Sequence, residues 1–252
     1  MSAVGLTVTL GIAAGAAGAA AALAARAVFS PRSGIFGPVT FRGSRAAPPR
    51  VALTFDDGPD PDATPRILDV LERMEAPAAF FVIGQYAGRH PALLRRMHEA
   101  GHELGNHSFH HARFGAFRRR RYWIEEIART QRAVADAADW TPRLFRPPMG
   151  LKNPHVVRAA RAQGLTVVTW TRRAFDGVPT TATRILARLE GRTRAGDIVA
   201  LHDGIDPNGA RRPAATVEAL GPLIERLRRR GLEIVPLAAL IEASPVRPQP
   251  ET

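Results

Sequence analysis

Two adjacent carboxylates, Asp56 and Asp57, follow an apolar segment in the stretch LTFDDGP and precede a glycine and a proline. Farther along, NHSFHH supplies His107 and His111, whose spacing on a helical turn would place both imidazoles on one face. With one carboxylate they form a two-histidine, one-carboxylate metal set that leaves positions for water and substrate, as catalytic sites do. The other carboxylate could then take a proton from water activated by the metal.

Another histidine, His202, follows the apolar run of GDIVALHDG. The pKa of histidine lies close to neutrality, so this side chain could protonate a leaving group. Simpler structural roles remain open for all of these residues. Either aspartate of the pair could cap the turn at Gly58 and Pro59, and histidines often pack or form hydrogen bonds without a catalytic role.

Strand-sized apolar runs recur along the chain and alternate with helical patterns. Thr64 before Pro65, and Asn153 before Pro154, predict two of the helix starts. About seven strand and helix units predict an α/β fold with parallel strands, which fits a (β/α) barrel better than the alternative, a doubly wound open sheet. The predicted strands are Val51–Phe55, Ala79–Ile83, His102–Asn106, Arg143–Arg146, Leu165–Trp170, Asp197–His202 and Glu233–Val235.

The reactive side chains fall at the carboxyl ends of these predicted strands. In parallel α/β proteins, ligands and catalytic groups gather at that end of the sheet. We therefore expect one site at one rim of the sheet, because polar or aromatic groups follow five strands. These groups are Asp56 and Asp57, His107, Arg146, Trp170 and His202.

The composition is that of a globular protein with a basic surface. Of the 252 residues, 45% are hydrophobic and 23% charged, which suits one domain with appendages. Lys and Arg number 35 against 23 Asp and Glu, and Lys152 is the only lysine. A solvated surface accounts for this charge, and an anionic polymer or membrane partner remains the alternative; without a recognition motif, no nucleic-acid partner is predicted. The absence of cysteine excludes disulfides and thiolate chemistry.

The N-terminus differs from the rest of the chain. Residues 4–25 carry no charge, and roughly 20 such residues could span a bilayer. We interpret residues 1–28 as a hydrophobic helix, an anchor or signal segment of a membrane-anchored or exported envelope protein, with an alanine-rich soluble helix as the alternative. The composition predicts a linker at residues 29–49, a single folded domain at residues 50–242 and a disordered tail at residues 243–252.

Four motifs resemble those of the polysaccharide deacetylases, carbohydrate esterase family four, with the nodulation protein B homology domain. They occur in the same order as in that family. A further stretch, APAAFFVIG at residues 76–84, is similar to the second strand of the family. The resemblance covers about residues 50–241, and the ordered set is far more specific than any one motif. The motifs are TFDDGP at residues 54–59, HSFHH at 107–111, RPPMG at 146–150 and LHD at 201–203.

The resemblance implies an irregular (β/α) barrel and a divalent metal, usually Zn²⁺, held by Asp57, His107 and His111. It makes Asp56 the general base and His202 the general acid in hydrolysis of an acetylated glycan, which yields acetate and a free sugar amine. The leading interpretation is thus a metal-dependent deacetylase of an envelope glycan. Hydrolysis of a non-sugar amide or an O-acetyl ester, or a non-catalytic glycan-binding membrane protein, are the alternatives. The oligomeric state is not predicted.

The third motif supplies further expected site residues. By resemblance, Arg146 belongs to the catalytic machinery, and the backbone N–H of Met149 donates to the oxyanion, a role that does not depend on the side chain. Pro148 and Trp170 are expected to contact the substrate.

The fourth motif departs from the family pattern. That pattern is D-x-x-D-W, and WTRRAFDG has Arg173, Asp176 and Gly177 in those places. Asp176 could still orient His202 and raise its pKa. Arg173 cannot pair with Arg146, which must find another partner such as Asp176 or the substrate. Gly177 removes an aromatic wall, and Arg173 replaces an acidic residue by a basic one, so a wider pocket or an anionic ligand near Arg173 is expected.

Overall fold

The structure, a computed structural model, describes residues 18–19, 21–45, 47–207 and 213–242. Strands and helices alternate along most of this chain. The strands are β1 (Arg50–Asp56), β2 (Ala78–Val82), β3 (Glu103–Asn106), β4 (Leu144–Phe145), β5 (Thr166–Val167), β6 (Arg172–Arg173), β7 (Ile198–His202) and β8 (Glu233–Ile234). The helices are α1 (residues 21–29), α2 (Ala63–Arg73), α3 (Gly84–Arg89), α4 (Pro91–Glu99), α5 (Arg120–Ala138), α6 (Pro154–Ala162), α7 (Ala182–Leu189), α8 (Ala214–Arg229) and α9 (Leu237–Glu242).

Seven parallel strands form a curled sheet in the order β5-β4-β3-β2-β1-β7-β6, and β8 pairs with the start of β1. The predicted α/β fold with about seven parallel strands is confirmed. The closed barrel is not, because the edge strands β5 and β6 do not pair with each other within the described residues. The predicted strand at Leu165–Trp170 ends at Val167 beside β4, and the chain rejoins the sheet at Arg172 on the opposite edge. The result is a half-barrel.

Residues 40–43, from the predicted linker, contact the chain just after β5 and just before β7. Thr40 forms a parallel bridge with Val168, and Arg42 forms an antiparallel bridge with Asp197. The guanidinium of Arg42 also lies 3.0 Å from the Asp197 carboxylate. These contacts attach the segment before β1 to the sheet and satisfy backbone groups that an open edge would leave unpaired.

The alternation of side chains along β1 separates a helix-covered face from an inner face. Leu53 and Phe55 belong to the apolar cluster shared with α2 and α8. Thr54 and Asp56 point to the opposite face, where both contact the buried side chain of Arg146. Small residues on this inner face leave room for that arginine: Ala52, Ala79 and Ala200.

The two predicted helix starts have different outcomes. Asn153 caps α6, since its Oδ1 accepts a hydrogen bond of 2.7 Å from the first turn, which opens with Pro154. The prediction for Thr64 is wrong, because α2 already begins at Ala63. The Thr64 hydroxyl instead donates to Oδ2 of the buried Asp203 at 2.6 Å, whereas Oδ1 of that carboxylate has no hydrogen-bond partner among the described residues.

The end of α1 is attached to the loop that follows RPPMG. Lys152 is buried there, and its Nζ donates to the carbonyl oxygen of Ser30 at 2.7 Å. Most of the predicted anchor, residues 1–28, lies outside the described residues, as does the predicted tail at 243–252. Among the residues that the structure describes, no helix combines the length and apolar composition needed to cross a bilayer.

Candidate active site

A cavity of about 300 Å³ opens at the carboxyl ends of the strands. Most residues that the sequence predicts for the site line this cavity. Arg146 and Pro148 are buried outside this lining. The predicted residues in the lining are Asp56, Asp57, His107, His111, Met149, Trp170, Arg173, Asp176 and His202.

Three potential metal ligands meet in this cavity. Oδ1 of Asp57 lies 3.4 Å from Nε2 of His107 and 3.2 Å from Nε2 of His111. All three side chains are buried, and Asp57 Oδ1 has no hydrogen-bond partner among the described residues. A buried, unpartnered carboxylate oxygen beside two imidazole nitrogens fits a divalent cation, and this donor set suits Zn²⁺.

The ionisation of Asp57 and the hydrogen bonding of His107 suit metal binding. Burial raises the pKa of Asp57, but the positive charges of His111, His202 and His107 and the hydrogen bond with His107 together outweigh burial and hold the pKa well below its usual range. The Nδ1 atom of His107 lies 2.7 Å from the carbonyl oxygen of Arg146. Because a carbonyl oxygen only accepts, Nδ1 of His107 carries the proton and its Nε2 offers a lone pair.

The loop that carries both histidines is not the helical turn that their spacing predicts. Ser108 and His111 adopt left-handed backbone conformations, with φ of 66° and 52°. Side chains replace helical carbonyl groups as acceptors in this loop. The N–H of Ser108 donates to Asn106 Oδ1 at 2.9 Å, and the N–H of His111 donates to Ser108 Oγ at 3.1 Å. The loop, rather than a helix face, brings His107 and His111 together.

A buried glutamate on α5, which the sequence analysis missed, supports the same loop. Glu126 Oε2 accepts hydrogen bonds from the N–H groups of Phe109 and His110, and its Oε1 lies 2.6 Å from His110 Nδ1. His110 therefore turns away from the metal ligands. The signal was an acidic residue on the apolar face of a helix, between the buried Trp123 and Ile127.

The carboxylate of Asp56 is held in place by the buried guanidinium of Arg146. Nη1 of Arg146 donates to Asp56 Oδ1 at 2.6 Å and to Thr54 Oγ1 at 2.9 Å, while Nη2 donates to the carbonyl oxygen of Thr169 at 3.2 Å. The expectation that Arg146 pairs with Asp176 or the substrate is therefore wrong. The guanidinium lies on the inner face of the sheet, under β1, and has its ion pair there.

His202, the last residue of β7, is held by Asp176. Its Nδ1–H donates to Asp176 Oδ1 at 2.7 Å, and its backbone N–H donates to Oδ2 at 2.9 Å. Thr216 also donates to Oδ2, at 2.7 Å. Burial lowers the pKa of His202, but the negative charge of Asp176, its hydrogen bond with His202 and the charges of Asp57 and Asp56 together outweigh burial and raise the pKa to about 10. The imidazole is therefore protonated at neutral pH, and its Nε2 lies 4.0 Å from Asp57 Oδ2.

Exposed side chains form the outer wall of the cavity. Met149 and Phe175 both adopt left-handed conformations, with φ of 57° and 55°. A Cβ on Gly177 would lie 3.4 Å from Cε1 of His202, so this glycine leaves one edge of the imidazole uncovered. The ring of Phe175, missed by the sequence analysis, lies in the cavity wall, two residues from the position where an aromatic residue was expected.

Two further acidic residues were also missed. Asp203 is buried directly after His202, and burial raises its pKa to about 7. Oδ1 of Asp206 lies 3.6 Å from Nδ1 of His111, and Arg113 Nε donates to Asp206 Oδ2 at 2.6 Å. Both follow the end of β7, where the stretch LHDGID gave the signal: acidic residues at a carboxyl strand end.

Comparison with known proteins assigns this architecture to a family. The family model described as polysaccharide deacetylase matches residues 43–168. Over 197 residues the chain is 39% identical to a chitooligosaccharide deacetylase of Bradyrhizobium sp. (strain ANU 289), a match that covers 75% of this chain and 90% of that protein. The chain belongs to the polysaccharide deacetylase family.

Two further similarities agree with this assignment. This polysaccharide deacetylase is 33% identical over 202 residues to a peptidoglycan-N-acetylglucosamine deacetylase of Bacillus cereus, covering 76% of the chain and 87% of that protein. A solved peptidoglycan N-acetylglucosamine deacetylase, in complex with 4-naphthalen-1-yl-N-oxidanyl-benzamide, matches with a TM-score of 0.75 and 29% identity, over 82% of this chain and 94% of that one. The resemblance inferred from the motifs is confirmed, and the protein is a hydrolase of the polysaccharide deacetylase type.

Proposed function

We propose that this polysaccharide deacetylase uses a metal ion to remove acetyl groups from N-acetylated sugars of a cell-envelope glycan. One observation carries the proposal: two charged pairs adjoin the three potential metal ligands in one cavity. Asp56 is paired with Arg146, and His202 is paired with Asp176. A proton acceptor and a proton donor thus stand beside a site for a Lewis acid.

The residues that would hold the metal are Asp57, His107 and His111, and Zn²⁺ is the ion we propose for them. Two imidazole nitrogens and one carboxylate oxygen are a common catalytic zinc set that leaves positions open. When bound, such an ion supplies Lewis acidity, which polarises a carbonyl group and makes water a better nucleophile.

The protein groups then have separate tasks. Asp56 accepts a proton from the water that attacks the acetamide carbonyl carbon, while Arg146 fixes the position of its carboxylate. The backbone N–H of Met149 donates to the carbonyl oxygen as that oxygen becomes negative. When the carbon–nitrogen bond breaks, His202 gives its proton to the sugar nitrogen. The products are acetate and a sugar amine.

The substrate class follows from the relatives and from the cavity. The relatives are, by name, a chitooligosaccharide deacetylase and a peptidoglycan-N-acetylglucosamine deacetylase. The amide of an N-acetylglucosamine unit within an oligomer is therefore the bond we propose. Trp170 and Met149 line the cavity and are placed to contact the sugar.

An envelope location is part of the proposal. It is supported by the uncharged segment at residues 4–25, whose length suits a membrane anchor or an export signal. Fractionation of cells that produce the full chain tests it. Recovery in the membrane or extracellular fraction is expected, and recovery in the cytoplasm alone would contradict it.

An acetate-release assay on the full chain tests the activity. The metal content is measured first, and acetate is then quantified with chitin oligomers, peptidoglycan and acetylated xylan. We expect stoichiometric zinc and acetate from an N-acetylated glycan. Acetate from xylan alone would replace the amide by an ester as the substrate, and no acetate from any of the three would overturn the proposal.

The pH profile reports the role of Asp176. As a general acid, His202 must be protonated, so kcat/KM should fall as pH rises through its pKa of about 10. In Asp176→Asn the negative charge is lost, and the alkaline limb of kcat/KM should move down toward 6.5, the ordinary histidine pKa. Stability should depend on pH in the same direction. Protonated His202 contributes fully to the free energy of unfolding below pH 6.5, and this contribution is lost as pH rises through about 10.

Thr216→Val is the matched control for this profile. It removes one hydrogen bond to Asp176 Oδ2 but keeps the carboxylate charge. Its alkaline limb should stay closer to that of the wild type than to that of Asp176→Asn. An unchanged limb in Asp176→Asn would show that this carboxylate does not set the protonation of the acid.

A further inference from the structure

Arg173 presents a guanidinium to the cavity that holds the potential metal ligands. Its Cζ lies 4.3 Å from the centroid of the Phe175 ring and 5.8 Å from that of Trp170. Two aromatic rings thus hold a long, flexible side chain in one place, an arrangement that favours arginine. The buried Arg146 lies against the same Trp170 ring, with 5.7 Å from Cζ to the centroid, so this indole contacts both guanidinium groups.

Most of the carboxylates that line the cavity already form ion pairs with cationic side chains other than Arg173. Asp56 is paired with Arg146 and Asp176 with His202. Asp206 is paired with Arg113, the other guanidinium of the cavity lining. The remaining carboxylate, that of Asp57, is the potential metal ligand.

Arg173 therefore has no close ion-pair partner, although the more distant carboxylates of Asp176 and Asp56 act on its charge. Within the described part of the chain, no carboxylate lies within 4.0 Å of its guanidinium, and its side chain forms no hydrogen bond. Burial lowers the pKa of Arg173, but an arginine stays charged at any physiological pH. The Arg173 side chain is exposed at the cavity, so an anion that enters the cavity can reach its guanidinium and pair with it.

We infer that Arg173 binds an anionic group, a carboxylate or a phosphate, that the glycan substrate carries next to the N-acetylated sugar. The inference rests on the proposed function and adds a substrate class to it: an acidic glycan rather than a neutral one. The substrate is a fitting source of this anion because Arg173 lines the same cavity as Asp57 and His202. The planar guanidinium can donate two parallel hydrogen bonds to either anion.

The test compares three substrates that share one amide. They are a neutral chitin oligomer, an oligomer that alternates N-acetylglucosamine with glucuronic acid, and a phosphate-bearing N-acetylglucosamine disaccharide. The wild type should have a kcat/KM about tenfold or more higher for one anionic substrate than for the neutral one, since a charge-assisted hydrogen bond exceeds one tenfold step. Which anionic substrate is preferred distinguishes a carboxylate from a phosphate.

Variants separate Arg173 from the general basic charge of the protein. In Arg173→Gln the preference for the anionic substrate should largely disappear. Arg184→Gln, which removes an exposed arginine from α7, should keep the wild-type preference. Equal kcat/KM for all three substrates in the wild type, or a preference that survives in Arg173→Gln, would overturn the inference.

Direct binding measurements separate the test of the anion site from the test of the deacetylase activity. Kd is measured by calorimetry for the same three oligosaccharides with wild type and Arg173→Gln. If no substrate releases acetate but the anionic ones bind more tightly through Arg173, the proposed function fails and the anion site stands. If acetate is released but neither Kd nor kcat/KM depends on the anion, the proposed function stands and the anion site fails.

Discussion

A His111→Ala variant of the full chain is expected to lose stoichiometric zinc and, with it, acetate release. The physical reason is the small size of the ligand set, since His111 supplies one of three donor groups and leaves only Asp57 and His107. Removing a residue that merely orients a ligand weakens metal binding by roughly 10–100-fold, and removing the ligand itself should exceed that range. Metal content after dialysis, and acetate release with and without added zinc, measure both effects.

The neighbouring histidine provides the matched control. His110→Ala removes an imidazole from the same loop, but that imidazole contacts Glu126 and is directed away from the cluster. It should therefore retain zinc and activity. Thermal unfolding adds a second measurement, because an ion that binds the folded state raises its Tm. Zinc should raise the Tm of wild type and His110→Ala but not that of His111→Ala, and a normal zinc content in His111→Ala would remove His111 from the ligand set.

The strand ends of this protein could be predicted from its sequence because their cause is local. An apolar run followed directly by a polar residue marks both a buried strand and its carboxyl end, as at Asp56 and His202. Parallel packing then brings those ends to one rim. The sequence therefore predicts which residue types lie at that rim, and the structure shows how their side chains are arranged.

The loop conformations could not be predicted in the same way. Spacing alone suggested a helical turn for His107 and His111, whereas the backbone follows acceptors on Asn106 and on Glu126, which lies on α5. The partner of Arg146 was likewise set by the inner face of β1 and not by any neighbour in sequence. Contacts between residues far apart in the chain decide these details, and a local pattern does not contain them.

The open edge of the sheet has a similar origin. The run Leu165–Trp170 has strand composition throughout, yet only Thr166–Val167 pairs with β4. Thr40 occupies the position beside Val168, so backbone groups there find partners without further strand pairing. A segment that its composition marks as a linker thus supplies partners to backbone groups at this edge, and this is a tertiary effect.

Replacement of Asp56 by asparagine should reduce kcat/KM for acetate release by about 10²–10⁴-fold, the usual contribution of a general base. Asparagine has nearly the same shape as aspartate and keeps an oxygen that can accept from Arg146 Nη1, but it does not accept a proton. Zinc content should stay stoichiometric, because Asp56 is not among the three potential ligands. This combination, metal retained and activity lost, separates the base from its neighbour Asp57.

Two measurements decide whether the loss in Asp56→Asn is chemical. The substitution leaves the buried guanidinium of Arg146 without a full counter-charge, and breaking a buried ion pair destabilises a protein by roughly 3–5 kcal/mol. A lower Tm is therefore expected, and the assay must be run well below it. Asp60→Asn, which alters a carboxylate just before α2 that accepts hydrogen bonds from the backbone N–H groups of Asp62 and Ala63, should keep both zinc and activity. If folded, zinc-loaded Asp56→Asn releases acetate as fast as Asp60→Asn, another group takes the proton, and the two adjacent aspartates do not divide their tasks as proposed.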